Sequence, residues 1–510
     1  AEEIATLVKK YDGSLSGEHG DGRLRGEFIP QMIGQKNYEL LKKIKQAWDS
    51  NNLFNPGKIV ETPSMNSMLR YEPGQKTPAF KTYFRFSQQD ILQHAEQCNG
   101  SGDCRKTHLS GGTMCPSYMT TRNEKETTRA RANILREFLT RSNKPNRFNH
   151  KEIYEVMDLC LSCKGCKSEC PSNVDVAKLK AEFLQQYYDS NGVPFRSRMI
   201  AHFTQLASLG SLMPSVYNAV VNHSVWGAAI RKMVGFAPKR SLPTLHTTTL
   251  RKWYNRWKQK QVSTGKKKVY LFCDEFTNYN DTEIGITTIQ LLEYLGYDVE
   301  ILQHTESGRA ALSKGLLKKA KLIAEKNIRS LSPFVSEETP LIGIEPSAIL
   351  CFRDEYPDLV DESLLPQAKA MAPHCLMVEE FLSKEIRAGN ITADQFTSEA
   401  RTVHLHGHCQ QKSIAGTGPS QEMLSLPENF KVSVIPSGCC GMAGSFGYEK
   451  EHYDLSMKVS ELVLMPAVRA AAPEDIIAAP GTSCRHQIKD GCGKKAQHPV
   501  EVLWAARKLT

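Results

Sequence analysis

The run Cys160-Leu-Ser-Cys163-Lys-Gly-Cys166-Lys-Ser-Glu-Cys170-Pro171 has the spacing Cys-x2-Cys-x2-Cys-x3-Cys-Pro. This spacing is typical of iron–sulfur loops, in which three thiolates wrap one cluster and the fourth, next to proline, binds a different cluster. Structural zinc sites usually use two separated Cys-x2-Cys pairs, so zinc fits less well. A disulfide framework is disfavoured because no secretory signal is visible and eleven other cysteines are scattered along the chain. The run therefore predicts a protein that transfers electrons.

The length and composition of the chain limit its class. A chain of 510 residues exceeds what one hydrophobic core serves, which predicts three or four domains. The net charge of +10 is dispersed, so nucleic-acid binding is not expected, although an acidic partner or a membrane surface stays open. Fifteen cysteines without a signal peptide indicate the cytoplasm, with peripheral contact to the inner membrane left open. No apolar stretch reaches the length of about 18 residues that a transmembrane helix needs.

The N-terminal residues have an unusual pattern. Residues 1–10 resemble the middle of an amphipathic helix, with Ile4, Leu7 and Val8 on one face and no capping residue before it. We therefore expect the chain to be the C-terminal part of a longer protein.

The periodicity of the remaining sequence predicts several structural regions. Short apolar strands at 269–272, 298–302 and 341–344 alternate with helices, and the same order recurs at 402–405, 431–435 and 475–479. This alternation predicts a parallel-sheet α/β fold with an internal repeat. The predicted regions are 1–60, a linker at 61–86, an all-helical iron–sulfur module at 87–190, a helical connector at 191–265, a first repeat at 266–385 and a second repeat at 386–510.

An earlier cysteine group fits the same iron–sulfur template less completely. Cys98 and Cys104 keep the overall spacing, but Ser101 stands where a second cysteine belongs, and ten residues separate Cys104 from Cys115-Pro116. Under the crossed arrangement, Cys115 completes the cluster of Cys160, Cys163 and Cys166, and Cys170 joins Cys98 and Cys104. The latter site lacks one thiolate. The alternatives are substitution by Ser101, Asp103, His108 or water, a three-iron cluster, or no cluster.

The second repeat carries cysteines near the predicted strand ends: Cys409, the pair Cys439-Cys440 before Gly441, and Cys484. Carboxyl ends of parallel strands converge on one crevice, so four thiolates could meet there and bind a metal or a redox cluster. The alternative is a set of buried free cysteines. The first repeat keeps only Cys273 and Cys351 and is expected to bind nothing, and we interpret Cys375 and Cys492 as structural.

The loop Gly17-Glu18-His19-Gly20-Asp21-Gly22 concentrates a metal-binding carboxylate and a histidine that could act as ligand or general base. A solvated turn is equally compatible with these residues alone.

These segments together resemble a known family. The Ser16–Gly22 loop and the segment Leu53-Phe-Asn-Pro-Gly-Lys58 resemble the end of the FAD-linked oxidase C-terminal domain of D-2-hydroxyacid dehydrogenases. The region from Cys98 to Pro171 is similar to their ferredoxin-like module. The Cys-Cys-Gly segment resembles the cysteine-rich domain of heterodisulfide reductase and glycolate oxidase iron–sulfur subunits. This order of domains is similar to that of the large bacterial FAD and iron–sulfur D-2-hydroxyglutarate dehydrogenases.

The resemblance implies a multidomain α/β fold class. It comprises the end of an α+β FAD-linked oxidase domain, an all-α ferredoxin-like iron–sulfur module and a duplicated α/β cysteine-rich (CCG) domain. The implied reaction is the oxidation of D-2-hydroxyglutarate to 2-oxoglutarate by FAD, with electrons passing through 4Fe-4S clusters to an unidentified acceptor. D-lactate or glycolate is the alternative substrate.

The resemblance also implies roles for individual residues. Glu18 would bind a divalent metal, taken as zinc, His19 would remove the hydroxyl proton, and Asn55 and Lys58 would lie near the flavin. An upstream half would hold most of the FAD, and a homo-oligomer is expected. One departure from the family pattern is Gly481, which replaces the first cysteine of the usual Cys-x2-Cys ending in the cysteine-rich domain.

Two other functions compete with this interpretation. One is a pure electron-transfer subunit, such as the iron–sulfur partner of an anaerobic glycerol-3-phosphate dehydrogenase, against which the Glu18-His19 loop argues. The other is a zinc-dependent nucleic-acid binder, suggested by the positive charge and the cysteines.

Overall fold

The fold comes from a computed structural model of the chain, in which residues 1–69, 74, 76–259 and 266–508 are described. The chain divides into two units, Ala1–Pro78 and Ala79–Thr510. Residues 70–73 and 75 of the predicted linker and residues 260–265 of the predicted connector lie outside the described residues.

The described residues of unit Ala1–Pro78 form three α-helices, α1 (Glu2–Lys10), α2 (Ile29–Ile33) and α3 (Gln35–Trp48). Its buried apolar side chains are Ala5, Phe28, Ile29 and Tyr38. Its exposed large apolar side chains are more numerous: Ile4, Leu7, Tyr11, Leu24, Ile33, Leu40, Ile44, Trp48, Leu53, Phe54, Met68 and Leu69. A group of this size exceeds the scattered apolar residues that most protein surfaces carry, so this unit presents an extensive apolar surface.

The iron–sulfur region of the second unit is helical. Its helices are α4 (Ile91–Glu96), α5 (Pro116–Thr121), α6 (Thr128–Arg141), α7 (Lys151–Asp158), α8 (Gly165–Glu169) and α9 (Val176–Asn191). Side-chain caps fix where several of them begin. Thr127 accepts a hydrogen bond from the Ala130 amide at the start of α6, and the Asp175 carboxylate accepts from two amides at the start of α9. These caps determine which backbone amides face the cysteines.

A series of short helices follows: α10 (Phe195–Ala201), α11 (Phe203–Gly210), α12 (Pro214–Asn222), α13 (Ser224–Val234) and α14 (Leu250–Lys258). Among the described residues, every helix is too short or too polar to cross a lipid bilayer.

Two α/β segments complete the chain. The first contains β1 (Lys267–Phe272), α15 (Glu275–Tyr279), α16 (Thr282–Tyr294), β2 (Tyr297–Glu300), α17 (Arg309–Ser313), α18 (Leu317–Leu331), β3 (Leu341–Gly343), α19 (Pro346–Ile349), α20 (Glu355–Leu359), α21 (Leu365–Met371), β4 (Cys375–Met377) and α22 (Val378–Arg387). The second contains β5 (Arg401–Leu405), α23 (Cys409–Ile414), α24 (Gly418–Leu424), β6 (Phe430–Val434), α25 (Tyr453–Glu461), α26 (Leu464–Ala470), β7 (Ile476–Ala478), α27 (Thr482–Cys492) and α28 (Pro499–Ala505).

The two sheets share a strand order. The first sheet has the order β2-β1-β3-β4 and the second has the order β6-β5-β7, and all pairings are parallel. A single parallel bridge between Ala478 and Gln497 lies where a fourth strand would extend the second sheet. One hydrophobic core joins both segments and contains Val269 and Leu271 of β1 together with Val403 and Leu405 of β5. Because parallel strands share one direction, their carboxyl ends in each sheet face the same edge.

The structure also differs from the predicted elements in detail. Strand β4 is not predicted, because its three residues are too short to give an alternating pattern, and Cys375 begins it as a fully buried residue. Helix α22 runs to Arg387, two residues past the predicted boundary between the repeats.

Candidate metal centres

Four cysteines from two separate segments line one small cavity in the iron–sulfur module. Cys160, Cys163 and Cys166 come from the loop before and into α8, and Cys115 comes from the residue before α5. Cys170 is not among the described residues that line this cavity. The structure thus brings together the four thiols that the crossed arrangement assigns to one cluster, and the set of four thiols in a largely apolar cavity fits a 4Fe-4S cluster.

The backbone around the cavity is bent by residues in the left-handed region. Cys115, Ser162 and Lys164 have φ values of 58°, 51° and 61°. Gly165 allows the two segments to touch, because a Cβ there would lie only 2.8 Å from the Met114 amide nitrogen. A side chain at this position would separate the loop from Cys115.

Two helix N-termini donate hydrogen bonds to the sulfurs. The Thr128 amide at the start of α6 donates to Cys115 Sγ at 3.0 Å, and the Val176 amide at the start of α9 donates to Cys166 Sγ at 3.4 Å. Amides and helix dipoles of this kind stabilise negative charge on sulfur, and such bonds also tune the potential of a bound cluster.

Burial disfavours the ionised form of these thiols when no metal is bound. It raises the pKa of Cys115 to about 11, although the nearby Arg131 guanidinium opposes the shift. Burial also raises the pKa of Cys163 and of Cys166 well above the usual value. Cluster insertion must therefore displace protons, which couples loading of the site to pH.

A buried ion network holds the cysteine loop against the first repeat. Lys164, which lies between Cys163 and Gly165 and is 1% exposed, pairs with Asp354 and, at 2.5 Å, with Glu355. Arg309 contacts the same Glu355 at 2.6 Å, and Lys178 of α9 contacts Asp354 at 3.1 Å. Although desolvation opposes these shifts, Lys164 and its neighbours hold the pKa of Asp354 well below its usual range, and the two carboxylates raise that of Lys164.

The second predicted cluster site is less complete. Cys98 and Cys104 are buried and interact electrostatically, whereas Cys170 is partly exposed. Ser101, which occupies the place of a missing cysteine, is exposed and donates a hydrogen bond to the Asp103 carboxylate at 2.9 Å. A cluster bound by Cys98, Cys104 and Cys170 therefore stays a prediction.

The predicted cysteines of the second repeat converge, and a histidine joins them. Cys409 begins α23, Cys439 and Cys440 lie in the loop after β6, and Cys484 lies in the first turn of α27. His406 directly follows β5. One of its ring nitrogens lies within 4.8 Å of the sulfurs of Cys440 and Cys484, and these two sulfurs also lie within 4.8 Å of each other. All five side chains are buried. His406 was not predicted from the sequence, where its only signal is its position just past a strand end, without a ligand spacing of its own.

The surroundings of this site combine hydrogen bonds and positive charge. His406 Nδ1 lies 2.7 Å from Ser437 Oγ, and burial lowers the pKa of this imidazole to about 4, so that it stays neutral. The Lys412 ammonium donates to the backbone carbonyls of Ser437 and Gly438 and lies close to all four thiols. A hydrogen bond from Cys439 lowers the pKa of Cys409 to about 6 against the effect of burial.

The two cysteine sites adjoin each other. Cys163 belongs to the same buried cluster of side chains as Cys409 and Cys439, together with Leu161. The Cys163 thiol interacts electrostatically with that of Cys409. Cys163 of the cluster cavity therefore packs against the second repeat.

The predicted substrate-side residues lie in unit Ala1–Pro78. Glu18, His19, Asn55 and Lys58 are all exposed. The Ile59 amide donates to the Gly22 carbonyl at 3.0 Å and brings the glycine-rich loop beside the segment that carries Asn55 and Lys58. Within the described residues, Glu18 and His19 are not part of a compact set of three metal-binding groups.

Four other cysteines lie away from these sites. Burial raises the pKa of Cys273 to about 12, and it also raises the pKa of Cys351, Cys375 and Cys492. These residues therefore behave as protonated thiols.

Comparisons with known families support the organisation into modules. Residues 1–59 match the FAD linked oxidases, C-terminal domain, and residues 97–175 match the 4Fe-4S dicluster domain. The predicted resemblance to these two modules is thereby confirmed.

Similar proteins were also found along the whole chain. The chain is 27% identical to the D-2-hydroxyglutarate dehydrogenase of Escherichia coli (strain K12) over 99% of its own length and 52% of that protein. It thus spans about half the length of this relative. It is 23% identical to a subunit of the anaerobic glycerol-3-phosphate dehydrogenase of Escherichia coli (strain K12), over 65% of this chain and 82% of that subunit. It is 24% identical to lactate utilization protein A of Macrococcus caseolyticus, over 46% of this chain and 96% of that protein.

The buried ion network leads to a stability prediction. Asp354→Asn leaves Lys164 buried without its closest partner, and we expect this to lower the free energy of unfolding by about 3–5 kcal/mol. Asp361→Asn is the control, because it breaks an ion pair of the same repeat, with Lys321, in which Asp361 is 57% exposed. This variant should lower the free energy of unfolding by at most about 1 kcal/mol. Urea unfolding followed by circular dichroism measures both variants. Equal losses would contradict the role of the network.

The shared cavity leads to a prediction about cluster ligands. Cys115→Ser and Cys163→Ser should damage the same cluster, because serine is a harder and poorer ligand for iron. Cys170→Ser should leave that cluster intact and damage only the site of Cys98 and Cys104. Iron counting and low-temperature paramagnetic resonance of the reduced variants measure this. If Cys170→Ser abolishes the signal that Cys115→Ser leaves unchanged, all four ligands come from the local run instead.

Proposed function

We propose that this chain is part of an FAD- and iron–sulfur-dependent D-2-hydroxyacid dehydrogenase that oxidises D-2-hydroxyglutarate to 2-oxoglutarate. The observation that carries the proposal is the similarity to D-2-hydroxyglutarate dehydrogenases along 99% of the chain. This similarity spans both the exposed loop of Glu18 and His19 and the cavity lined by four thiols. The combination suits a protein that binds a hydroxy acid at one site and moves electrons at another.

The substrate-side residues have distinct proposed roles. Glu18 binds a divalent metal, taken as zinc, which holds the carboxylate and hydroxyl of the substrate. His19 removes the hydroxyl proton as a general base. Asn55 and Lys58 lie near the flavin. FAD, when bound, can accept two electrons together and release them one at a time, which suits transfer to iron–sulfur clusters.

The thiols of the second unit serve the electron-transfer side. Cys115, Cys160, Cys163 and Cys166 hold one 4Fe-4S cluster, as the cavity and the amide donors to sulfur support. Cys98, Cys104 and Cys170 hold part of a second cluster. The thiols of Cys409, Cys439, Cys440 and Cys484 hold a further metal or cluster.

The apolar surface of unit Ala1–Pro78 supports contact with an FAD-binding segment. Leu7, Ile44 and Trp48 are 54%, 56% and 86% exposed. The D-2-hydroxyglutarate dehydrogenases similar to this chain are about twice as long. A segment that binds most of the FAD would cover these side chains and bring the flavin to Asn55 and Lys58.

A second candidate function is that of an electron-transfer subunit without a substrate site. It is favoured by the likeness to the anaerobic glycerol-3-phosphate dehydrogenase subunit, a likeness that extends over 65% of this chain. D-lactate or glycolate remains the alternative substrate within the dehydrogenase proposal. Reduction of flavin and clusters by each hydroxy acid separates these possibilities.

Helices α10 to α14 support peripheral contact with an anionic membrane. The segment that contains these helices, residues 195–258, has ten lysines and arginines and no aspartate or glutamate. The exposed large apolar side chains of this region are Phe195, Leu206, Leu209, Leu212, Met213, Val216, Val220, Val225, Trp226 and Met233. Exposed apolar residues beside basic ones are characteristic of helices that lie in the membrane interface, where lysine and arginine attract anionic lipids.

The role of His19 can be tested in the full-length enzyme with its FAD-binding segment. His19→Ala should slow flavin reduction by D-2-hydroxyglutarate about 10²–10⁴-fold, because it removes a general base, and should leave flavin, iron and divalent metal contents unchanged. Glu18→Ala is the matched variant and should lower the bound divalent metal. Stopped-flow absorbance and metal analysis measure these effects. Normal reduction by the His19 variant would exclude it as the base.

Membrane contact can be tested by sedimentation with vesicles. The chain should sediment with vesicles that contain phosphatidylglycerol, and less so at high salt, because salt screens the attraction to anionic lipids. Leu212→Glu and Trp226→Glu should reduce binding strongly, whereas Leu322→Glu, which changes a residue of α18 that is 61% exposed, should not. A change of oligomeric state in the first two variants, with vesicle binding unaltered, would identify the surface as a subunit interface and refute the membrane proposal.

A further inference from the structure

We infer that the second repeat binds a single tetrahedral metal ion, of the zinc class, through His406 Nε2, Cys440 Sγ and Cys484 Sγ, with the fourth ligand from the Cys409–Cys439 pair. This inference deepens the proposal that the cysteines of the second repeat hold a metal or a cluster, and it rests on that part of the proposed function. It adds a nitrogen ligand and excludes a cubane cluster at this site.

The spacing of the ligand atoms supports a single ion. Two sulfurs bound to one zinc at about 2.3 Å in tetrahedral geometry lie roughly 3.8 Å apart, and the three ligand atoms here lie within 4.8 Å of one another. In a cubane each thiolate binds a different iron, so the sulfurs lie considerably further apart. Among the described residues, the four thiols that line the ferredoxin cavity do not supply such a compact set of three. The candidate ligand atoms are therefore closer together in the second repeat than in the ferredoxin cavity.

The hydrogen bonds of His406 leave one ring nitrogen ready for a metal. The Ser437 hydroxyl donates to the Ile435 carbonyl, so its lone pairs accept a hydrogen bond from His406 Nδ1. This assigns the proton to Nδ1 and leaves Nε2 as a free lone pair. His406 Nε2 is fully buried and makes no hydrogen bond to a nitrogen or oxygen atom of the described residues, and the imidazole interacts with the Cys440 thiol. A metal-binding histidine typically has this arrangement, in which its other nitrogen donates to a fixed acceptor.

Gly481 leaves no room for the cysteine that the family pattern has at this position. A Cβ there would lie 2.5 Å from Cδ2 of His408 and 3.3 Å from Cys484 Sγ. The His408 ring therefore fills the space beside Cys484, so the missing thiolate needs a substitute from elsewhere. His406 offers a ring nitrogen within 4.8 Å of Cys484 Sγ.

The charge of the site also fits one ion. A zinc ion with one neutral imidazole and three thiolates carries a net charge of −1. The Lys412 ammonium lies beside the thiols and carries +1. A buried site is most stable when its charge is balanced. The charge of −1 on one zinc ion with three thiolates is balanced by the charge of +1 on Lys412.

A site of this kind would act as a structural link. Zinc has no redox chemistry in proteins, so the site would not carry electrons. It would hold the end of β5, the loop after β6 and the start of α27 together. Cys163 packs against this region, in contact with the cluster of side chains that contains Cys409 and Cys439. The ion would thereby stabilise the surroundings of the adjoining cluster.

The test is metal analysis and zinc X-ray absorption of the iron-loaded chain in the Glu18→Ala background, which removes the other metal ligand proposed. We expect one zinc per chain with one nitrogen and three sulfur neighbours. His406→Ala should lose the zinc and keep the iron of the ferredoxin cluster. His406→Cys should keep the zinc and change its neighbours to four sulfurs, which shows that loss in the alanine variant is not misfolding. Ser437→Ala should weaken zinc binding about 10–100-fold in chelator competition.

His404→Ala is the matched control. His404 lies two residues earlier, and its ring contacts Asp475 and Ser433 instead of the thiols, so this variant should retain its zinc. The inference is overturned if the site contains iron and sulfide that Cys440→Ser removes and His406→Ala leaves unchanged. A protein with the expected zinc that fails to oxidise any D-2-hydroxy acid in its full-length form would refute the dehydrogenase proposal alone.

Discussion

The Lys164 ammonium lies in the protein interior between two ligands of the proposed cluster, and its pairs with Asp354 and Glu355 join the cysteine loop to the first repeat. An isolated buried charge of this kind is very unfavourable. The loop can therefore take its observed path only if the two carboxylates pair with the buried ammonium group. The first repeat therefore fixes the path of a cysteine loop to which it contributes no thiol. Amides from α6 and α9 then complete the surroundings by donating to the sulfurs.

The two repeats share a strand order but differ in chemistry at the same edge of their sheets. After β5 and β7 the second repeat places His406 and Cys484. After β3 the first repeat places Glu345, whose side chain accepts a hydrogen bond from the Thr482 amide near Cys484. A shared topology thus supplies ligands in one copy and supporting polar contacts in the other, because the fold fixes where strand ends meet and leaves the side chains free to differ.

Much of the architecture could be predicted from the sequence, since regular spacing carries most of the information. The Cys-x2-Cys-x2-Cys-x3-Cys-Pro run allowed Cys115 to be grouped with Cys160, Cys163 and Cys166, and the structure brings these four together. Strand β4 could not be predicted because three residues give no period. His406 was missed because its role depends on the distance across three chain segments, and a single histidine after a strand carries no spacing signal of its own.

The proposed substrate site and the proposed cluster site differ in how many of their ligands the described residues supply. The thiols that line the proposed cluster cavity all come from unit Ala79–Thr510, and three of the four are buried. Glu18 and His19 are instead exposed, and in the proposed mechanism only Glu18 binds the metal, whereas a zinc site requires at least three ligands from protein. The proposed substrate site therefore needs ligands from further residues, whereas the proposed cluster site has its four thiols in one cavity.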